Sequence, residues 1–137
     1  MKRIALLATV VAGALTIGVG VSIAQGGTAS IYRNTGHTCV TGALDTSDWV
    51  GHFSADVSND EIRGSVSLTG VARNSNFTIV LVQNHPCQAT TVGTLVTDAQ
   101  GNGTLDFTAP TVPGASVAWI STHHNTHQLA STTIALE

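Results

Sequence analysis

After residue 25 the chain is a succession of short strand-like runs separated by turn residues, and no window keeps apolar residues at helical spacing. Val66 and Leu68 alternate with serine and threonine, and Leu105 and Phe107 alternate with threonine and aspartate. A period of two is typical of strands that bury one face. Runs that recur about every ten residues predict an all-β fold, a single antiparallel β-sandwich of about seven or eight strands.

The runs differ in how clearly they alternate. Clear strands are predicted at 65–71, 77–83, 91–97, 104–108, 116–121 and 131–136, and weaker ones at 29–33 and 50–57. Segment 41–59 stays open, because it holds either one strand and a long loop or a short helical turn that begins at Thr46 or Ser47. Turn-forming residues at 73–76 and 98–103 predict tight connections, the second of them a hairpin, since glycine and asparagine tolerate positive φ.

Residues 1–24 have the pattern of a secretory signal peptide. Lys2 and Arg3 precede an uncharged apolar run that ends in small residues at Ala24. We expect cleavage after Ala24, which leaves one domain over 25–137 in a secreted or extracytoplasmic protein with no membrane contact beyond the signal. An uncleaved membrane anchor is the competing interpretation, because an apolar run of this length could also cross a bilayer.

Positive charge is scarce beyond the signal. Arg33, Arg63 and Arg73 stand against eight carboxylates, and no lysine follows Lys2. Nucleic acid and anionic lipid both require a basic face, so neither is expected as a partner. The expected partner is a protein or a component of the cell surface or cell wall, met by end loops at 36–59 and 122–129.

Export changes the expected chemistry of the two cysteines. Cys39 and Cys87 are predicted to form a disulfide, because exported proteins mature in an oxidising compartment. Closing a loop of this length stabilises a fold by about 4 kcal/mol in the chain-entropy account. A redox role is not expected, since the spacing is not C-x-x-C.

All six histidines lie beyond the signal and allow a second interpretation. His123, His124 and His127 crowd one polar stretch, while His37 and His85 each lie two positions from a cysteine. Neutral imidazole is a common ligand of copper and zinc, so the alternative function is an extracytoplasmic copper- or zinc-binding protein that uses these five residues. The bland interpretation is exposed loop histidines with no cofactor, because H-H-x-x-H is not a metal-site signature.

No catalytic motif is present, and the chain is not expected to be an enzyme. The G-x-S-x-G nucleophile turn is missing, and nothing in the sequence pairs two carboxylates at glycosidase spacing. The acidic residues Asp45, Asp48 and Asp56 and the cluster at 59–61 are interpreted as solvated surface.

The C-terminal half carries motifs found in a known class of domains. Residues 66–70 (VSLTG) lead through an asparagine-rich turn to the apolar run 77–82, and residues 97–103 (TDAQGNG) have the form T-D-x-x-G-x-G. In both features the chain resembles secreted bacterial immunoglobulin-like or fibronectin-III-like domains. The resemblance implies an immunoglobulin-like β-sandwich and a secreted protein, and it implies no activity. Antibody-type disulfide placement is not carried over, since Trp119 follows both cysteines.

These observations favour a small secreted, disulfide-stabilised β-sandwich that serves as a non-catalytic binding or surface-structural module. Trp49 and His52 are its candidate recognition residues, because they lie in the segment with the weakest alternation. Trp119 alternates with Val117 and Ser121 and is expected in the core instead.

Overall fold

The computed structural model describes residues 25–33, 47–84, 87–124 and 127–137. Within these ranges the chain forms nine strands and no helix, so nothing there is a helix long and apolar enough to cross a membrane. The strands are β1 (Gly26–Arg33), β2 (Trp49–Ser58), β3 (Glu61–Leu68), β4 (Asn76–Asn84), β5 (Gln88–Val96), β6 (Gly103–Pro110), β7 (Val117–His124), β8 (His127–Ser131) and β9 (Ile134–Ala135). The predicted all-β class is confirmed.

All of these strands belong to one antiparallel hydrogen-bonded sheet. Its order is β5-β4-β7-β8-β1-β2-β3-β6, and β9 pairs with both β1 and β7. The sheet curves until its two end strands meet, because a methyl group added at Gly93 of β5 would lie 3.0 Å from Leu105 Cδ2 of β6. The concave face therefore encloses a single space between the strands.

Apolar side chains from nearly every strand fill this space. Alternation within each strand sends every second residue inward, as with Ile62, Val66 and Leu68 of β3, all of them buried. The rings of Phe53 and Phe107 stack with their centroids 6.1 Å apart. The largest fully buried side chains of this core are Phe53, Phe77, Ile31, Ile62, Leu68, Ile79, Leu81, Leu95, Ile120, Leu129 and Val66.

A smaller apolar group lies on the opposite face of the sheet. Trp119 is only 4% exposed, but its chain neighbours Ala118 and Ile120 point into the core and Trp119 does not. Val82 lies opposite Trp119 on β4, and it too is buried outside the main core cluster. Trp119 is therefore buried, as expected, but in a group separate from the main core.

Two connections differ from the sequence-based predictions. The hairpin predicted at 98–103 is wrong, because this turn joins β5 to β6, which are the opposite ends of the sheet and share no hydrogen-bond ladder. The end loop predicted at 122–129 is also wrong. Those residues include the ends of β7 and β8, which pair as a hairpin with His124 opposite His127. The strand predicted at 131–136 is divided between β8 and β9.

The open segment 41–59 is settled in its second half. Residues 49–58 form β2, and Ser47 and Asp48 form a turn rather than a helix, while 41–46 lies outside the described residues. Asn59 and Asp60 both have positive φ, 52° and 59°, and close a tight hairpin between β2 and β3. Positive φ at both central residues is the requirement of a type I′ turn, the turn whose twist matches paired strands.

Candidate binding face

Trp49 and His52 lie on the same exposed face of the sheet. On β1, Ser30 and Tyr32 flank the fully buried Ile31, so both point away from the core. His52 is the cross-strand partner of Ser30, and Trp49 is the partner of Tyr32. Partners in a ladder share a face, so both residues point outward. His52 is exposed, and the Trp49 side chain is 51% exposed.

A β-bulge makes this arrangement possible. Trp49 and His52 are three positions apart, a spacing that would place them on opposite faces of a regular strand. The register between β1 and β2 shifts by one residue at Val50, so that Ile31 pairs with Gly51 and the next residue pairs with Trp49. Bulges of this kind bend a strand and redirect side chains, and they are common beside binding sites.

Gly51 is required at this bulge. Its φ is +156°, and a Cβ atom there would lie 1.9 Å from the Ser67 carbonyl oxygen of the neighbouring strand. No side chain can occupy that space without moving the backbone of β3. The start of β2 is fixed from the other side by Arg33, whose Nε lies 2.8 Å from Asp48 Oδ2 and whose amide donates to the Asp48 carbonyl.

Beyond Trp49 and His52 the same face continues as three rows of polar residues across β1, β2, β3 and β6. We call these rows together with Tyr32 and Trp49 the polar face. The rows consist of small hydroxylated or charged residues apart from one histidine and one glycine. From the Trp49 end, the rows are Ser30-His52-Ser67-Thr104, Thr28-Ser54-Ser65-Asp106 and Gly26-Asp56-Arg63-Thr108.

A shallow cavity of about 720 Å³ occupies the second and third rows. Asp56, Arg63 and Asp106 supply its charges, and Thr28, Ser54 and Ser65 supply hydroxyl groups. Arg63 is ion-paired to Glu61, at 3.0 Å from Nε to Oε1, rather than to its cross-strand neighbour Asp56. Within the described part of the chain, neither Asp56 nor Asp106 has a side-chain hydrogen bond or ion pair, so both carboxylates are available to a ligand.

No protein-family model matches the chain, and comparison with curated proteins and with solved structures gave no significant match either. The function of this chain therefore has to be inferred from its own geometry.

The candidate metal ligands fall into two groups. His37 and His85 lie outside the described residues. At the β7–β8 hairpin the backbone register places His124 directly opposite His127, whereas His123 lies between Thr78 of β4 and Gln128 of β8. Among the described residues there is no group of three or more His, Cys, Asp and Glu side chains that could hold a metal ion.

The cysteines are described only in part. Cys87 lies in the turn before β5, and no cysteine in the described ranges is a free thiol. Cys39 lies outside those ranges, so its pairing with Cys87 stays a prediction. Of the acidic residues interpreted as surface, Asp48 pairs with Arg33 and Asp56 belongs to the polar face, while Asp45 is outside the described residues.

Sequence reasoning missed most of the polar face. The outward polar positions of β3 and β6 could be read from their alternation, and Trp49 was singled out as a candidate contact. What the sequence did not indicate is that Ser65 and Asp106 are neighbours, because β3 and β6 are separated by two strands in the chain and pair across the fold.

Proposed function

We propose that this protein is an exported, non-catalytic binding module whose recognition surface is the polar face. The observation that carries the proposal is the bulge at Val50, which brings the exposed Trp49 onto the same side as His52. A half-exposed tryptophan loses favourable burial unless a partner covers it, and a bulge is a local irregularity that a plain scaffold does not need. The recognition surface is thus a sheet face rather than the end loops expected from the sequence.

The proposed architecture is an immunoglobulin-like sandwich that follows a cleaved signal and carries a Cys39–Cys87 disulfide. Strand order supports it, since β5-β4-β7-β8 and β1-β2-β3-β6 can act as two four-stranded halves whose inner faces share one core. Cleavage after Ala24 would leave every described strand intact, since β1 begins at Gly26. A rigid scaffold with the ligand on a flat face needs no reaction centre.

The test is retention of the purified exported protein on the cell-envelope fraction of the source cells. We expect the wild-type chain to be retained and the Trp49→Ala and His52→Ala variants to be lost in the wash. Val96→Ala is the matched control, because Val96 is a second exposed large apolar residue among the described ones, 62% exposed, and β5 contributes no residue to the polar face. Equal retention of wild type and Trp49→Ala would reject the polar face as the recognition surface.

One observation favours a second candidate function, binding of copper or zinc at the β7–β8 hairpin. The register places His124 and His127 at directly opposed positions, where the Cα atoms of antiparallel partners are about 4.5–5.5 Å apart. The lone pairs of neutral imidazole suit both metals, so this pair of histidines at opposed backbone positions is the proposed ligand set.

Calorimetric titration with each metal near neutral pH tests this candidate. We expect saturable heat at micromolar concentration that is lost in His127→Ala and on acidification, because protonated imidazole cannot bind a metal. His52→Ala should titrate like the wild type, since His52 lies on β2 and not at the hairpin. A wild-type chain that gives no heat of binding would eliminate the metal function.

A further inference from the structure

We infer that the polar face binds a neutral polysaccharide chain, which lies along β2 from Trp49 towards Asp56. This inference rests on the proposed function and names the class of ligand. It combines three features of the face: an exposed aromatic ring at one end, regular rows of hydroxyl groups, and a shallow cavity with uncommitted carboxylates at the other end.

The aromatic end suits the apolar side of a sugar ring. Trp49 presents a flat surface that is half exposed, and Tyr32 lies opposite it on β1, partly buried. One side of a pyranose carries axial C–H groups, and it loses water favourably when it covers an indole ring. A wholly apolar partner would instead need a wide apolar patch, and the rows that follow Trp49 are polar.

The rows supply the hydrogen bonds that a chain of sugar hydroxyls requires. Ser54, Ser65 and Thr28 can each donate and accept, which matches a ligand whose groups also do both. In the described part of the chain, these three hydroxyls have no side-chain hydrogen bond within the protein. From Trp49 to Asp56 the strand covers about 20 Å at roughly 3.3 Å per residue, a length that several linked sugar rings would occupy.

The cavity provides the stronger contacts. The Asp56 and Asp106 carboxylates are acceptors for sugar hydroxyls, and the Arg63 guanidinium is a fixed set of donors beside them. Stacking on Trp49 at one end and hydrogen bonds along the rows would together hold an elongated, hydrated ligand.

Charge decides against the other polymers. The face carries two carboxylates and one arginine in its rows, and the chain beyond the signal has eight carboxylates and three arginines. An anionic polysaccharide or nucleic acid would meet net repulsion. A protein partner is less favoured, because cores of protein interfaces are depleted in charged and small polar residues, which are the residues of these rows.

The experiment uses the envelope fraction described above after two treatments. Periodate, which cleaves vicinal diols of sugars, should abolish retention of the exported protein, and protease should not. Purified polysaccharides with vicinal diols follow, namely cellulose, starch, xylan and a β-1,4-mannan, with polygalacturonate as the anionic comparison. We expect at least one neutral polymer to bind, and Trp49→Ala and Asp106→Ala to weaken that binding by about tenfold or more.

Tryptophan fluorescence adds a reading that does not depend on retention. Trp49 is half exposed and Trp119 is buried, so soluble fragments of the bound polymer should shift emission in the wild type and leave the Trp49→Ala variant unchanged. Val96→Ala should behave like the wild type in every assay. These measurements also report whether each variant is folded, since Trp119 emission remains blue-shifted in a native chain.

The outcomes separate this inference from the proposed function. Trp49-dependent retention that protease removes and periodate does not would leave a binding module with a protein ligand, and the polysaccharide inference would be rejected. Binding to polygalacturonate alone would reject neutrality of the ligand. Retention that is insensitive to Trp49→Ala would reject both the inference and the proposed function.

Discussion

Thr97 ties together the loop between β3 and β4 and the loop between β5 and β6. Its hydroxyl donates to the Ala72 carbonyl at 2.6 Å and accepts from the Ser75 amide at 2.9 Å, and the residue is 3% exposed. A buried amide that loses its acceptor costs about 1–3 kcal/mol, because no water replaces the bond. Valine has the same shape as threonine but no hydroxyl group, so threonine is required here for its two hydrogen bonds and not for packing.

We therefore expect Thr97→Val to lower the free energy of unfolding by about 1–3 kcal/mol. Urea unfolding followed by circular dichroism measures the difference. Thr94→Val is the control, because Thr94 is exposed on β5 and the change there should stay within about 0.5 kcal/mol. Equal stabilities of the two variants would show that the loop contact contributes nothing.

Asp98 begins the next turn, and its carboxylate has a depressed pKa. The amides of Asn102 and Gln100 donate to Asp98 Oδ1 at 3.0 and 2.8 Å, and these bonds favour the charged form, so they hold the pKa below its ordinary value. A depressed folded-state pKa contributes stability that is present above the unfolded-state pKa, about 3.9 for aspartate, and is lost as pH falls through the lower folded value.

Replacement of Asp98 by asparagine should therefore lower stability at neutral pH and leave it less dependent on pH in the acid range. The thermal midpoints of wild type and Asp98→Asn should differ at pH 7 and converge as the wild-type carboxyl is protonated below about pH 4. Asp106→Asn is the comparison, because Asp106 has no such amide donors among the described residues and its substitution should shift the midpoint little. Parallel midpoint curves for wild type and Asp98→Asn would contradict the assignment.

At the scale of strands, the sequence predicted position better than pairing. Alternation located β3 and β6 to within a few residues, because one buried face is a local property of each strand. The bulge in β2 was not predictable in this way, since it interrupts the period of two. From the sequence, Asn59 and Asp60 are interpreted as solvated surface, because asparagine–aspartate is a weaker turn signal than asparagine–glycine. In the structure their positive φ values close a hairpin.

The bulge allows a prediction about stability and binding together. Gly51→Ala should destabilise the fold by about 1–3 kcal/mol, because the new methyl group meets the Ser67 carbonyl and the strands must separate. It should also weaken retention on the envelope fraction, because Trp49 and His52 would no longer share one geometry. Urea unfolding and the retention assay measure the two effects.

Gly27→Ala separates steric contact from backbone strain in this test. Gly27 also has a positive φ, +122°, but a Cβ atom there would meet nothing within 4 Å. Its substitution should therefore cost only the conformational penalty and leave Trp49 in place. If Gly51→Ala were no more destabilising than Gly27→Ala, the close approach to β3 would have no energetic role.

At the scale of the whole molecule, the arrangement of residues on the polar face could not be predicted from the sequence, for a physical reason. Ser54, Ser65 and Asp106 become neighbours only through the pairing of β2, β3 and β6, and β6 is separated from β3 by two intervening strands. Such pairing is set by the best packing of the entire core, to which every strand contributes. Local pattern identifies which residues face outward, but not which of them meet.

The proposed Cys39–Cys87 disulfide should stabilise the entire domain. A cross-link of this loop length restricts the unfolded chain, so its reduction should lower the free energy of unfolding by about 4 kcal/mol. The slope of the unfolding free energy against urea concentration should become steeper as well, because an unlinked chain exposes more surface when it unfolds. Urea curves for the exported protein and for its reduced, alkylated form measure both quantities.

The same experiment tests whether retention through the polar face depends on the proposed disulfide. Cys87 precedes β5, at one end of the sheet order, whereas Trp49 belongs to β2, which lies between β1 and β3. Reduced protein that is still folded should therefore keep its retention on the envelope fraction, and a Cys39→Ala/Cys87→Ala variant should repeat both results. Coincident unfolding curves, or two thiols that alkylate in the native exported protein, would contradict the disulfide. If the reduced protein were fully folded but no longer retained, the disulfide would be required for the geometry of the polar face.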